Sequence, residues 1–328
     1  MELFNLTATE LTEKLKNKEC SSTEITKSVL DRIENVDDKV NSYITVSKDE
    51  ALKKASEVDN KIANNEPLNL LEGIPIGIKD NICTKDILTT CASKMLYNFV
   101  PPYNATVMDK IAKNGIVVTG KLNMDEFAMG SSCETSYFKV TKNPHNLDYV
   151  PGGSSGGSAS SVAAGECILS LGSDTGGSIR LPSSYCGVVG LKPTYGSVSR
   201  FGLIAFASSL DQIGPIGRSV NDVAMLYSVI CGGDKLDATS VKKDYPIFKA
   251  GTKKDLAGVK IGIPNEYFSD GVSNEVKEKV LAAAKIMEEN GAILKYVSLP
   301  STKYALSAYY IISSAEASSN LARFDGVK

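Results

Sequence analysis

Residues 71–82 read LEGIPIGIKDNI, and this stretch decides the fold class. Between Ile74 and Ile78 the isoleucines alternate with proline and glycine, and this period of two predicts a strand that ends at Lys79. On position alone, Lys79 is either buried at the end of the strand or extends its ammonium group to solvent.

Segments with helical periodicity alternate with short apolar runs after this strand. The predicted helices are residues 105–115, 219–230 and 273–291, and the predicted further strands are 116–121, 166–174, 187–193, 258–264 and 292–300. In the helix at 273–291, Val276, Val280, Ala284 and Met287 share one face, which we expect to pack inward. The alternation predicts an α/β fold, a largely parallel or mixed sheet with helices on both faces.

The N-terminal segment has a different pattern. Ser21 with Glu24, and Ser47 with Glu50, are spaced as capping boxes ahead of amphipathic helices. These helices form either a packing layer or a docking surface for another chain. We therefore divide the chain into an N-terminal helical region, residues 1–65, that packs on an α/β core, residues 66–328, in one continuous domain.

The composition excludes several classes of protein. The chain has 328 residues with 42% hydrophobic and 23% charged residues, as in soluble globular proteins, and a net charge of -2 gives no reason to expect general nucleic-acid binding. Its seven cysteines include no C-x-x-C pair, so we expect no zinc site and reduced, mostly buried thiols. Without a signal peptide or a long apolar run, we expect a soluble, cytoplasmic protein.

The single histidine, His145, restricts the catalytic chemistry that the chain can use. A Ser-His-Asp triad would need this residue, which lies in the loop-like segment KNPHNLDYVPGG, residues 142–153. We interpret His145 as an exposed loop residue. A serine nucleophile in this chain would need another base.

Two stretches are too rich in glycine for ordinary helix or strand: PGGSSGGSAS at 151–160 and GSDTGGSIR at 172–180. Core-like sequence lies between them, which favours a functional site over a flexible linker. Neither matches a phosphate-binding loop. Consecutive N–H groups in such turns can instead form an oxyanion hole beside a nucleophile, as the order Thr175-Gly176-Gly177-Ser178 suggests.

Lysine can replace histidine as the base when burial makes its neutral form accessible. Lys79, at the end of an apolar strand, is the candidate. Lowering a lysine pKa from about 10.4 to near 7 takes about 4.5 kcal/mol of differential interaction.

Cys133, in the segment GSSCETS, is a second possible nucleophile. It has no neighbouring histidine or lysine in sequence and is interpreted as structural.

Three motifs together resemble the amidase signature family: GIPIGIKDNICT at 73–84, PGGSSGGSASSVAAG at 151–165, and the long segment GSDTGGSIR through SRFG at 172–202. Within the family, residues 121–144 and 308–328 resemble the glutamine-hydrolysing subunits of tRNA-dependent amidotransferases. The resemblance runs over essentially the whole chain. It implies the family's fold, a central mixed sheet flanked by helices on both faces and incomplete at its C-terminal end.

The resemblance also implies roles for individual residues. Lys79 matches the base, Ser178 the nucleophile, and Ser154 the serine that bridges them after a cis peptide bond, with Ser155 as second choice for the bridge. The oxyanion hole maps to the N–H groups of Thr175, Gly176, Gly177 and Ser178. Tyr309 matches a tyrosine of the glutamine pocket, and its neighbour Tyr310 is the residue that could be mistaken for it.

The implied reaction is hydrolysis of the glutamine amide through an acyl-serine. In such complexes the ammonia travels to a B subunit, which uses ATP and magnesium to convert Glu-tRNA(Gln) or Asp-tRNA(Asn) to Gln-tRNA(Gln) or Asn-tRNA(Asn), and a C subunit wraps the glutamine-hydrolysing one. This implies no cofactor or metal in this chain, tRNA contact only through the B subunit, and no membrane.

The family continues beyond RFDGVK, residues 323–328. We therefore expect a truncated chain, or a fragment of a split gene, that encodes the triad but only part of the glutamine pocket. Two alternatives remain open: a stand-alone amidase acting on small amides, and an inactive scaffold that binds partners through its N-terminal helices.

Overall fold

The computed structural model describes residues 2–249, 251 and 255–324. The chain forms two compact units, one of Met1–Ala250 with Ala315–Lys328 and one of Gly251–Ser314. The predicted domain boundary at residues 65 and 66 stays a prediction.

Nine α-helices and eight strands are formed by the described residues. The strands are β1 (Tyr43–Val46), β2 (Pro75–Lys79), β3 (Val117–Leu122), β4 (Leu169–Asp174), β5 (Val189–Gly190), β6 (Gln212–Gly217), β7 (Lys260–Pro264) and β8 (Ile293–Val297). The helices are α1 (Ala8–Lys16), α2 (Ser22–Val40), α3 (Lys48–Ala63), α4 (Thr106–Lys113), α5 (Gly156–Ala164), α6 (Arg180–Tyr185), α7 (Val220–Ile230), α8 (Asn274–Glu289) and α9 (Thr302–Leu321).

The sheet of the larger unit has the strand order β1-β3-β2-β4-β6-β5. Strand β2 pairs in parallel with β3 and with β4, whereas the other neighbours are antiparallel. This mixed sheet flanked by helices confirms the predicted α/β class. Because β2 and β4 run in parallel, Lys79 and Asp174 end their strands at the same edge of the sheet.

The N-terminal helices pack into the main hydrophobic core. Leu11 of α1 and Ile25, Val29 and Ile33 of α2 are buried with the isoleucines of β2. Ser21 and Glu24 form the predicted capping box of α2. The second predicted box is wrong, because Ser47 has a ψ of 61° and its side chain makes no capping hydrogen bond to α3. Sequence reasoning missed the box that Thr7 and Glu10 form on α1.

The glycine-rich stretches contain more regular structure than their composition predicts. Residues 156–160 begin α5, and residues 172–174 end β4. Glycine is required at the start of α5, because a Cβ on Gly157 would lie 2.5 Å from the carbonyl oxygens of Asn123 and Ser42. The glycines therefore permit close packing of a buried helix.

In the smaller unit, β7 and β8 pair in parallel with α8 as the connecting helix. The predicted strands and helix are present, but the expected inward packing of the apolar face is wrong. Val276, Val280 and Met287 are exposed. They line an apolar groove with residues of β7. An amphipathic pattern predicts which face is apolar without supplying a neighbour to cover it.

No helix among the described residues is long and apolar enough to span a membrane.

Candidate active site

Lys79, the last residue of β2, is completely buried among serine side chains. Its Nζ lies 2.8 Å from Ser154 Oγ, 2.9 Å from Ser173 Oγ and 3.3 Å from the carbonyl oxygen of Ser173. Asn81 Nδ2 also donates to Ser173 Oγ, at 3.0 Å. The amine is therefore held inside the protein by three oxygen atoms and does not reach solvent.

Burial lowers the pKa of Lys79 from 10.5 to about 8, because an ammonium ion is poorly solvated inside the protein. Negative charge on Asp125, Asp174 and Asp211 acts in the opposite direction. A lysine with this pKa has a substantial neutral fraction near physiological pH, which a general base requires.

Ser154 and Ser155 lie immediately before α5, and both are completely buried. The peptide bond between Gly153 and Ser154 is cis. The hydroxyl of Ser154 bonds to Lys79, whereas that of Ser155 donates to the carbonyl oxygen of Ser173 at 3.0 Å. Of the two serines considered for the bridge, Ser154 is the one in contact with the amine.

The loop after β4 presents Ser178 two residues before α6 begins. The N–H of Ser155 donates to the carbonyl oxygen of Ser178 at 3.0 Å, which joins the two serine segments. Ser178 is 8% exposed, whereas Lys79 and Ser154 are 0% exposed. Ser178 is therefore the least buried of the three predicted triad residues.

Asp174 fixes the shape of this loop. Its carboxylate accepts the N–H of Gly177 at 2.8 Å and that of Ile179 at 3.0 Å, and it forms an ion pair with Arg180 at 2.9 Å. Burial raises the pKa of Asp174, but the hydrogen bonds and the charge of Arg180 outweigh this effect and hold the pKa below its usual value. Asp174 is therefore ionised, and its hydrogen bonds and ion pair stabilise the conformation of the turn.

The four predicted oxyanion donors differ in their present partners. Gly177 already donates its N–H to Asp174. Within the described part of the chain, no acceptor is bonded to the N–H groups of Thr175, Gly176 and Ser178. The oxyanion hole formed by these groups stays a prediction.

Thr175 is held in place through its side chain. Its Oγ1 donates to Asp211 Oδ1 at 2.6 Å, and Asp211 Oδ2 accepts the N–H groups of Phe206 and Ala207 at 2.8 and 3.1 Å. Burial raises the pKa of Asp211. The carboxylate thus connects the serine loop to the segment before β6.

Sequence reasoning missed Ser173, which bonds to Lys79, and Asn81, which bonds to Ser173. It also missed Asp125, Asp174 and Asp211, which act electrostatically on Lys79. Their positions depend on which strands are neighbours, and local sequence patterns do not reveal the strand order. The one available signal was adjacency, since Ser173 and Asp174 directly precede the predicted oxyanion loop.

Two other residues, Cys133 as a nucleophile and His145 as a base, were considered for catalysis, and neither belongs to this site. Burial raises the pKa of Cys133 to about 12, so its thiol is protonated at neutral pH. The His145 ring bonds to the carbonyl oxygen of Cys186 at 2.9 Å.

Tyr309, predicted to line the glutamine pocket, lies on α9 in the smaller unit. Its ring centroid is 5.4 Å from that of Tyr310, and its role in substrate binding stays a prediction.

Comparisons with known proteins found a family profile and several similar chains. A family profile described as Amidase matches residues 24–328. Over 328 residues the chain is 57% identical to the A subunit of the glutamyl-tRNA(Gln) amidotransferase from Carboxydothermus hydrogenoformans and 58% identical to its counterpart from Clostridium botulinum, covering all of this chain and 68% of each relative.

Two solved structures share the fold. The A subunit of the glutamyl-tRNA(Gln) amidotransferase from Thermotoga maritima superposes with a TM-score of 0.87 at 44% identity, over 98% of this chain and 67% of that chain. The peptide amidase of Stenotrophomonas maltophilia gives a TM-score of 0.87 at 31% identity, over 97% of this chain and 67% of that chain.

Proposed function

The chain belongs to the amidase signature family, and from this premise we propose that it is the glutamine-hydrolysing component of a tRNA-dependent amidotransferase. The observation that supports the chemistry best is the 2.8 Å contact between the buried Lys79 amine and Ser154 Oγ, next to the loop of Ser178. The observation that supports the biological role is the identity of 57% with an amidotransferase A subunit over the whole chain.

The reaction begins with proton transfer inside the protein. A neutral lysine has two N–H groups and one lone pair. When the N–H groups of Lys79 donate to Oγ and O of Ser173, the lone pair is left for the hydroxyl proton of Ser154. Ser154 passes its proton to Lys79 and receives the proton of Ser178, which becomes the nucleophile.

Ser178 Oγ then attacks the side-chain amide carbon of glutamine and forms a tetrahedral intermediate. The free N–H groups of Thr175, Gly176 and Ser178 stabilise the negative oxygen, and Asp174 and Asp211 keep the loop that carries them in shape. Such donors act strongly because they are fixed before the charge develops.

Collapse of the intermediate breaks the C–N bond. The leaving nitrogen takes a proton from Lys79 through Ser154 and departs as ammonia, and the glutamyl group remains as an ester on Ser178. Water then attacks this ester while the same relay removes its proton. Glutamate leaves, and Ser178 and Lys79 return to their starting forms.

Partners and cofactors follow from the same proposal. A B subunit would use ATP and magnesium to activate and amidate the mischarged tRNA, a C subunit would wrap this chain, and this chain would need neither metal nor cofactor. We place the complex in the cytoplasm, where the seven free cysteines of this chain would stay reduced.

The decisive experiment measures ammonia release from glutamine by this chain mixed with B and C subunits, with wild type and Ser178→Ala compared. Release by wild type that S178A abolishes would support the proposal. Release that S178A retains would overturn the role of Ser178. Labelling of Ser178 by a fluorophosphonate, read by intact mass, tests the nucleophile without any partner.

A stand-alone amidase is the second candidate, favoured by the 31% identity with a peptide amidase. The two functions differ in their dependence on partners. Hydrolysis of small amides by the isolated chain, with no stimulation by B and C subunits and no copurification with them, would favour the stand-alone amidase.

A further inference from the structure

Asp125 is a completely buried acid that has no part in the proton relay described above. It follows β3 in the segment NMDEFAMGSS, residues 123–132. Its N–H donates to the carbonyl oxygen of Ser154 at 3.2 Å, so its backbone is attached to the serine that contacts Lys79.

The Asp125 side chain is wedged against the peptide that precedes this serine. A Cβ on Gly153 would collide with Asp125 Oδ2, and one on Gly130 would collide with the carboxyl carbon. Both positions thus need glycine because the carboxylate occupies the space. Asp125 Oδ1 accepts Thr135 Oγ1 at 2.9 Å, but Oδ2 is buried and bonded to no donor within the described residues.

The charges near Lys79 are not equally compensated. Four titratable groups have the largest effects on the amine: Asp125, Cys133, Asp174 and Asp211. Cys133 is a neutral thiol at physiological pH, since burial raises its pKa to about 12. Among the three acids, Asp125 alone has a carboxylate oxygen that lacks a hydrogen-bond donor in the described structure.

The other two acids have hydrogen-bond donors on both carboxylate oxygens, and Asp174 also has an ion pair. Asp174 is paired with Arg180 and accepts several N–H groups, and each oxygen of Asp211 accepts a hydrogen bond. Asp80, which follows Lys79 in sequence, lies 3.6 Å from Lys121. An unpaired carboxylate in a medium of low dielectric constant interacts more strongly with a nearby ammonium than a compensated one does.

We infer that Asp125 is a positioning residue for the Lys79–Ser154 pair: its backbone N–H fixes the carbonyl of Ser154, and its incompletely bonded carboxylate stabilises the ammonium form of Lys79. This inference rests on the proposed role of Lys79 as the base. It assigns to Asp125 control of the pH at which the base becomes active. Asp125 itself exchanges no proton with Ser154 or Ser178.

A negative charge favours the ammonium form, so replacing Asp125 by asparagine makes Lys79 lose its proton at lower pH. We expect the pH midpoint of Ser178 reactivity to fall by about 1 unit in Asp125→Asn, the low end of the shift that an opposite charge produces. A purely structural role would lower the plateau rate and leave the midpoint in place.

The experiment measures the second-order rate of fluorophosphonate labelling at Ser178 in the full chain between pH 5.5 and 9.5, with S178A as the blank. The matched control is Glu126→Gln, which removes one negative charge from the next residue, a half-buried side chain. A midpoint lowered in D125N and unchanged in E126Q supports the inference. An unchanged midpoint in D125N, or an equal shift in both variants, overturns it.

A second variant is expected to shift the pH midpoint of labelling in the opposite direction, and it keeps the inference testable if D125N does not fold. Thr135→Val removes the hydroxyl donor from Asp125 and leaves its charge less compensated, so the midpoint is expected to rise. A midpoint that does not move in a folded T135V overturns the inference. Absence of labelling in wild type at every pH would overturn the proposed function, whereas labelling with an unmoved midpoint overturns only the role of Asp125.

Discussion

The carboxylate of Asp174 accepts the N–H of Gly177 at 2.8 Å, one residue before Ser178. This contact uses one of the four donors predicted for the oxyanion hole and, in doing so, fixes the turn that exposes the other three. A buried acid at the end of a strand therefore determines the geometry of the nucleophile loop without itself contacting the reacting atoms.

Asp174→Asn is expected to lower kcat/KM for amide hydrolysis by about 10²–10³, comparable to the loss of an oxyanion donor. An amide at this position accepts fewer N–H groups, so the loop around Ser178 loses its brace. Ammonia release under saturating and limiting glutamine measures the effect. Arg180→Gln, which removes the ion pair but leaves the N–H contacts of Asp174, is the control. A D174N protein as active as wild type would contradict this role.

The pH dependence of activity is expected to follow Lys79. Because burial lowers the pKa of Lys79 to about 8 and the base works in its neutral form, kcat/KM should rise with pH and level off above a midpoint near 8. Lys79→Ala should lower the rate by about 10²–10⁴ and remove this rise. A wild-type profile that is flat between pH 6 and 9.5 would show that Lys79 is not the base.

Ser154 and Ser155 are adjacent and equally buried, but their alanine variants are expected to differ in kind. Ser154→Ala removes the hydroxyl in contact with Lys79, so the labelling rate of Ser178 should fall by about 10² or more, with little change in stability. Ser155→Ala removes two contacts with Ser173 and should mainly destabilise the fold, by about 1–3 kcal/mol. Labelling kinetics and urea unfolding of both variants separate the two effects, and an exchange of the two phenotypes would reverse the assignment of the bridge.

The sequence predicts the parts of the site that depend on local pattern. The alternation around Ile76 predicts the strand that ends at Lys79, and the structure confirms that strand at Pro75–Lys79. Position alone left the burial of Lys79 open, because a lysine at a strand end can equally extend to water. The residues that enclose its amine, Ser154 before α5 and Ser173 in β4, are distant from it in sequence.

The features that sequence reasoning missed depend on long-range packing. Asp125 reaches Gly153 and Ser154 across 28 and 29 residues of sequence, a juxtaposition that neither segment encodes by itself. The exposed face of α8 is a different kind of error. Its periodicity predicts correctly that Val280 lies on the apolar face of the helix, but it does not show whether another element covers that face, and Val280 is exposed.

Glu166 allows a prediction about stability that is independent of catalysis. Burial raises the pKa of this carboxyl from 4.5 to about 8. The folded chain therefore holds a proton on Glu166 that the unfolded chain has released, and the free energy of unfolding should fall as the pH rises from 4.5 to 8. The stabilising contribution is complete below the unfolded pKa and is lost as the pH passes the folded one.

Glu166→Gln resembles the protonated acid and lacks this titration. Between pH 6 and pH 8 we expect the free energy of unfolding of wild type to fall by about 2–3 kcal/mol relative to E166Q, at about 1.36 kcal/mol per pH unit. Urea unfolding at the two pH values measures the difference. Glu134→Gln, a change at an exposed carboxylate, should follow wild type. Parallel pH dependence of wild type and E166Q would show that Glu166 is ionised in the folded chain.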